Sequence, residues 1–310
     1  MKRTRGASRS TRLRRAAATL AAVLVVGTLP ACGGGEEQTE PFTIGAIPDQ
    51  DPEVLQRLYG TLSDYLEREL GVPVRYEPVT DYAAAVTAFR VGDLDMVWFG
   101  GLTGVQARLQ VPGAEAILQR GIDDEFHSVF IANTSTDLAP VDTIAGLRRL
   151  AGHTFTFGSE ISTSGRLMPQ YFLQQAGVDP DDFEGEPGFS GSHDKTIQLV
   201  QAGSYDAGAL NAQVWESRLS SGRTDTSKVQ VIWRTSSYYD YHWVIRPGVS
   251  ERYGDDFVQR VEDAFTGLSA EDGETEARIL EMFGAEAFVP TENANYEKIE
   301  QIGRQIGKIR

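Results

Sequence analysis

The chain has 310 residues, with 29 Lys and Arg against 44 Asp and Glu and a net charge of −15. Seven basic residues and no acid fall in the first 15 positions, so the remainder carries about −22, which argues against nucleic acid or an anionic membrane surface as a partner. The one cysteine excludes an internal disulfide, and roughly 270 residues beyond the N-terminal segment allow one large or two medium domains.

Residues 1–32 read as an export signal. Lys2, Arg3, Arg5, Arg9, Arg12, Arg14 and Arg15 precede an apolar run, Ala16 to Leu29, that is short for a bilayer span. Leu29-Pro30-Ala31-Cys32 resembles a bacterial lipoprotein box, which makes Cys32 the expected lipidation site; an ordinary cleaved signal with an idle cysteine is the alternative. Arg14-Arg15 leaves general and twin-arginine export both open. Residues 33–41 read as a flexible polar tether. No second apolar segment of spanning length follows, so the chain is expected to be anchored rather than to span.

Phe42 to Ile47 has a strand pattern, and the turn Pro48-Asp49-Gln50-Asp51-Pro52 leads into an amphipathic helix from Val54 to Leu70 that stops at Gly71. Val72 to Tyr76 is a second strand. Asp81 caps a helix over 81–89, and Val91-Gly92-Asp93-Leu94-Asp95 turns into a third strand ending at Trp98-Phe99. Asn133 to Pro140 is polar and turn-rich and is expected to be the first crossing between two lobes. Thr154 to Phe157 alternates as a strand. Gly158-Ser159-Glu160-Ile161-Ser162-Thr163-Ser164-Gly165-Arg166-Leu167-Met168-Pro169 joins it to a helix ending at Gly177. Val231 to Arg234 is another strand, Thr235 to Asp240 a return crossing, and amphipathic runs at 256–266, 274–283 and 296–309 are helices that pack back on the first lobe.

The hydroxyl triplet Ser162-Thr163-Ser164 is the centre of this pattern. Ser and Thr satisfy the free N–H groups of a first helical turn, and those N–H groups with the helix dipole also attract anions. Gly165 is expected to clear space for a ligand. The bland reading is a capped helix with spare hydroxyls. No Lys is present, so this is not a Walker loop.

The elements recur at an offset of 111 residues. Gly92 answers Gly203, Asp95 answers Asp206, Asp81-Tyr82 answers Ser192-His193, and Asp51-Pro52-Glu53 answers the hydroxyl triplet. Two βαβ-type units predict an α/β protein of two lobes, with ligand loops outside the carboxyl ends of the strands at 48–53, 80–82, 98–104, 159–165, 191–194 and 210–213.

Asp81-Tyr82-Ala83, Val97-Trp98-Phe99-Gly100, Ser162 to Pro169 and Gly191-Ser192-His193-Asp194 resemble the substrate-binding proteins of phosphonate and phosphite ABC importers, over about Phe42 to Pro247. The resemblance implies a two-lobed periplasmic-binding-protein fold of type II, with 42–134 plus 240–310 as lobe 1 and 135–239 as lobe 2. It implies that Ser162, Thr163 and Ser164 donate to a tetrahedral oxyanion, that His193 and Tyr82 add donors, and that Asp240 accepts from a protonated oxygen. It also places Phe99 and Gln213 among the ligand-binding residues. At Phe99 the phosphonate pattern has Tyr, so one donor is missing. At Gln213 it has Glu, so an ammonium-bearing ligand loses its partner. Runs 47–52 and 238–243 also resemble a branch labelled selenate-binding. Selenate and sulfate are fully deprotonated where phosphorus oxyanions keep a proton, so Asp240 in the cleft favours the latter over selenate; a selenate, selenite or other oxyanion binder is the alternative.

The resemblance further implies an extracytoplasmic, monomeric lipoprotein that closes on its ligand and delivers it to a permease and its ATPase subunit; the alternative role is a ligand sensor of a signalling system. No cofactor is implied, and His127, His153, His193 and His242 lack metal-ligand spacing. Ser164, His193 and Asp240 have the residue types of a hydrolytic triad, but no nucleophile elbow surrounds Ser164, so no enzyme is expected. Asp123-Asp124-Glu125 reads as a solvated loop.

Overall fold

The computed structural model describes residues 40–310; the expected export signal and Cys32 lie outside the described residues, as does the tether up to residue 39. Its first unit runs β1 (Phe42–Ala46), α1 (Pro52–Leu70), β2 (Val74–Tyr76), α2 (Tyr82–Val91), β3 (Met96–Phe99) and α3 (Gly101–Gln110). β1 lies between β2 and β3 and is parallel to both, with Phe42 opposite Val74 and Ile44 opposite Met96. β4 (Glu115–Arg120) follows, then β5 (Ser128–Asn133).

The second unit repeats the first: β6 (Phe155–Phe157), a wide π-helical turn at Thr163–Leu167, α4 (Met168–Ala176), β7 (Gly188–Phe189), α5 (His193–Gln201), β8 (Ala207–Asn211) and α6 (Ala212–Ser220). Here β6 lies between β7 and β8, again parallel to both. Gly92 and Gly203, the pair that marks the offset, both take positive φ (94° and 72°) before the turn into the third strand, a conformation that suits glycine. β9 (Val229–Arg234) and β10 (His242–Ile245) follow. Helices α7 (Val249–Tyr253), α8 (Phe257–Thr266) and α9 (Glu274–Phe283), strand β11 (Phe288–Pro290) and helix α10 (Glu297–Gln305) complete the described chain.

Two mixed sheets result. One has the order β11-β4-β10-β3-β1-β2, the other β7-β6-β8-β5-β9. Helices cover both, because the central strands are buried along their whole length. Aromatic contacts close the first core, where Trp98, Trp243, Phe283 and Phe288 meet at centroid distances of 5.1–6.4 Å.

One boundary differs from the sequence reading. β4 belongs to the first sheet, but β5 already lies between β8 and β9 in the second, so the chain first crosses at 121–127. The stretch 133–140 is instead a loop of the second lobe, where the Asn133 side chain donates to the Val200 carbonyl. A buried strand is legible from the apolar run 129–132; the sheet it joins is not. The return crossing occupies 235–241, between β9 and β10. The crossings are tied together, since Phe126 and Tyr238 exchange backbone hydrogen bonds and Asp240 N–H donates to the Asp123 carbonyl at 3.0 Å.

Candidate anion-binding site

The same capping chemistry that starts each helix brings the polar groups together. Ser162 Oγ accepts from Gly165 N–H at 3.0 Å and so caps the π-helical turn. Asp81 caps α2 and sets Tyr82 at its first position; Ser192 caps α5 and sets His193 at its first. All these starts follow strand ends, so they converge where the two sheets face each other.

Ser162, Thr163 and Ser164 are all buried. Thr163 Oγ1 accepts from the Leu102 N–H of α3 at 2.9 Å, across the lobes, which leaves its proton free to donate. Asp240 Oδ1 accepts from Gly101 N–H at 2.9 Å, and the Thr163 and Ser164 hydroxyls face the same carboxyl. Asp240 Oδ2 and Tyr82 Oη are buried and have no partner among the described residues. An orphaned buried acceptor and donor of this kind mark a place built for a polar guest. Gly100 permits the convergence, because a Cβ there would lie 3.1 Å from both Asp240 Oδ1 and Thr163 Oγ1.

Burial pushes the Asp240 carboxyl up to about 7, against the Gly101 N–H that lowers it. Burial pushes His193 down to about 3, so its ring is neutral at ordinary pH. His193 Nδ1 accepts from Asn211 N–H at 3.4 Å, which leaves the proton on Nε2, 3.3 Å from Tyr241 Oη. His193 hydrogen-bonds neither Ser164 nor Asp240, so the triad geometry is absent among the described residues.

Four sequence expectations are revised. Gly165 makes room for His193, not directly for a ligand: a Cβ there would lie 3.2 Å from His193 Cε1 and 3.0 Å from Ser162 Oγ. Phe99 is wholly buried and meets Phe89 edge to face at 5.7 Å, and the strand end serves the site through the backbone of Gly101. Gln213 is committed elsewhere. Its amide donates to the Phe283 and Gly284 carbonyls at 3.0 and 2.9 Å and its oxygen accepts from Arg120, so it joins the lobes. Asp123 is not in a solvated loop; it is fully buried and takes the Arg120 guanidinium on both oxygens.

Arg120 and Tyr241 carry polar roles that the sequence reading missed. Arg120 lies against the rings of Trp98, Phe126 and Tyr241 at 5.1–5.8 Å. Tyr241 Oη donates to Asp49 Oδ2 at 2.8 Å and accepts from Asn211 Nδ2 at 3.1 Å. Asp49 is buried as well, and desolvation raises its carboxyl to about 6. Asp51 caps α1, and its N–H donates to Asp194 of the other lobe at 2.9 Å.

A family described as "ABC transporter, phosphonate, periplasmic substrate-binding protein" matches residues 44–296. The chain is 49% identical over 268 residues to the probable ABC transporter phosphite binding protein PhnD1 of Prochlorococcus marinus, covering 86% of this chain and 90% of that one. It is 26% identical to the phosphate-import protein PhnD of Mycolicibacterium smegmatis, over 91% and 93% of the two chains. The solved structure of PhnD1 from Prochlorococcus marinus in complex with methylphosphonate superposes with a TM-score of 0.86 at 48% identity, covering 87% of this chain and all of that one. With two sheets joined by a double crossing and a buried polar convergence between them, and with no hydrolytic geometry among the described residues, the chain belongs to the phosphonate-type periplasmic substrate-binding proteins of ABC transporters.

Proposed function

We propose that this chain captures a small phosphorus oxyanion, phosphite or methylphosphonate, between its lobes and passes it to its permease as a monomer anchored through Cys32. Ser162, Thr163, Ser164, Tyr82, His193 and Asp240 form the anion chamber. The carrying observation is Asp240: a buried carboxyl, unpartnered at Oδ2 among the described residues, set among hydroxyl and N–H donors. Such a group repels a fully deprotonated anion and welcomes one that shares a proton. Phosphorus oxyanions have their second pKa about 6, close to that of this carboxyl. The names of the relatives fit the same ligand class.

The selenate reading keeps one supporting observation. A carboxyl with a pKa of about 7 is neutral below that pH and then donates to a proton-free anion. A thermal-shift series near pH 6.5, where phosphite still shares a proton with the site, separates the readings, using phosphite, methylphosphonate, phosphate, sulfate, selenate and selenite. A ligand at ~100 times its dissociation constant stabilises by about 2.7 kcal/mol. The expected result is a shift with phosphite or methylphosphonate and a smaller one with selenate. A shift with selenate alone overturns the assignment. The anchor is tested separately by globomycin-sensitive processing and by Cys32→Ala, which is expected to release the protein from the membrane fraction.

A further inference from the structure

Helix α1 starts with half a cap of its own. Asp51 Oδ1 accepts from Glu53 N–H at 2.9 Å. The other half of a capping box is a side-chain acceptor three residues on, which takes the N–H of the cap residue. That place is Val54, which has no acceptor. Elsewhere the chain closes the same bond locally, where Asp182 Oδ2 accepts from Asp179 N–H at 2.8 Å. At α1 the acceptor comes from the other lobe: Asp194 Oδ2 takes the Asp51 N–H at 2.9 Å. Asp194 lies buried in the first turn of α5, and Arg218 of α6 holds its other oxygen at 2.6 Å. Arg218 is fixed in turn by the Arg223 carbonyl at 3.0 Å. The internal repeat gives this contact a meaning. At the offset of 111 residues Asp51 answers Ser162, so the start of α1 in lobe 1 and the hydroxyl turn in lobe 2 are the same place in the two units. A helix start favours an anion in front of it. At the hydroxyl turn that anion is the captured ligand; at α1 it is the Asp194 carboxylate.

We propose that Asp194 is a positioning residue for capture: its carboxylate, fixed by Arg218, is a built-in anion that completes the cap of α1 across the lobes and holds them closed around the ligand. This deepens the capture reading above and rests on it. The bond joins residues 143 apart in the chain and on different lobes, so it forms only where the lobes meet. The bonds of the Asp194 carboxylate go to Asp51 and Arg218, not to a chamber group, so it acts on the ligand through closure. Beside it the His193 N–H donates to the Asp49 carbonyl at 3.0 Å, so the starts of α1 and α5 are laced together in both directions. A charge-assisted bond of this kind is stronger than the neutral contacts around it. Its loss speeds opening, and with it the escape of a bound anion.

The test is stopped-flow kinetics of phosphite binding by the purified protein. Asp51 has a φ of −56°, which proline accepts, so Asp51→Pro deletes the N–H while Asp51→Ala keeps it, and both lose the local cap. Asp51→Pro is expected to release phosphite roughly ten-fold faster than Asp51→Ala, with association rates within about three-fold of each other, as loss of one charge-assisted hydrogen bond gives. The unliganded melting temperatures of the two variants are expected to agree, because the contact belongs to the closed form. Asp194→Ala is expected to speed release over the wild type by a similar factor, and Asp194→Asn, which keeps an acceptor, by less. Equal release by the two Asp51 variants overturns the proposal. So does wild-type release by Asp194→Ala, which decides alone where the proline variant does not fold. A loss of affinity carried by the association rate also overturns it. Each of these results leaves the oxyanion reading standing. Binding of neither phosphite nor methylphosphonate by the wild type overturns that reading and this inference together.

Discussion

At the scale of single residues, Asp240 sets the pH behaviour. Its folded pKa lies above the unfolded value, near 7 against 3.8, because burial disfavours the carboxylate. A carboxyl raised in this way adds stability that is fully present below about pH 4 and lost as pH rises through about 7. Asp240→Asn removes that titration. The stability of the variant relative to the wild type, measured by denaturant melts of the unliganded protein, is expected to improve from pH 4 to pH 8 by up to about 4 kcal/mol, from about 1.4 kcal/mol per pKa unit. A difference that does not vary with pH would refute a buried, titrating Asp240. The hydroxyl triplet was legible in the sequence because capping is local: Ser162 reaches Gly165, three residues on. The Asp49–Tyr241 bond spans 192 residues, and no spacing rule joins its ends. Arg120 and Asp123 sit only three residues apart, yet they read as ordinary charged residues, because nothing local says that this turn is buried under Phe126 and Tyr241.

At the scale of elements, the repeated unit was readable because turns, caps and strand starts all fall in step, whereas the placement of β5 was not. Its run Val129-Phe130-Ile131-Ala132 is apolar throughout and fits the centre of either sheet. The packing of α3 on β10 is likewise tertiary. Gly104 of α3 lies against the His242 imidazole, and a Cβ at that position would overlap the ring. His242 cannot move freely, as it stacks on Tyr296 at 3.7 Å and its Nδ1–H donates to the Asp240 carbonyl at 3.0 Å. Gly104→Ala is therefore expected to destabilise the protein by about 1–3 kcal/mol, the usual range for overpacking, despite the better helix propensity of alanine. It is also expected to weaken ligand binding, since the displaced imidazole shifts Asp240. Chemical denaturation and a ligand titration of the variant check both; a neutral or stabilising effect would contradict the contact.

At the scale of the whole molecule, the lobes are brought together by a few polar contacts near the chamber. Leu102 N–H reaches Thr163, Asp51 N–H reaches Asp194, His193 N–H donates to the Asp49 carbonyl at 3.0 Å, and Gln213 clasps the end of α9. Gln213 touches no chamber group, so it acts on affinity only through closure. Gln213→Ala is expected to raise the ligand dissociation rate by roughly ten-fold with a much smaller change in association rate, as loss of a partly exposed clasp of three hydrogen bonds would give. Stopped-flow kinetics decides: a fall confined to the association rate would show that Gln213 does not hold the closed form.

The central claim is that ligand and Asp240 share one proton. The most direct measurement is calorimetry of phosphite binding between pH 5 and 8.5, in buffers of different ionisation enthalpy, with the wild type and the Asp240→Asn variant. Above about pH 7 both the free carboxyl and the phosphite are deprotonated, so the complex must take up close to one proton; well below pH 6 both carry one, so it must release one. Phosphite affinity is expected to peak near pH 6 to 7 and to fall on either side. Selenate affinity is expected only to rise as pH falls, and the Asp240→Asn variant is expected to take up no proton at pH 8. A phosphite affinity that is flat across this range, with no proton exchanged by the wild type at pH 8, would contradict the shared proton.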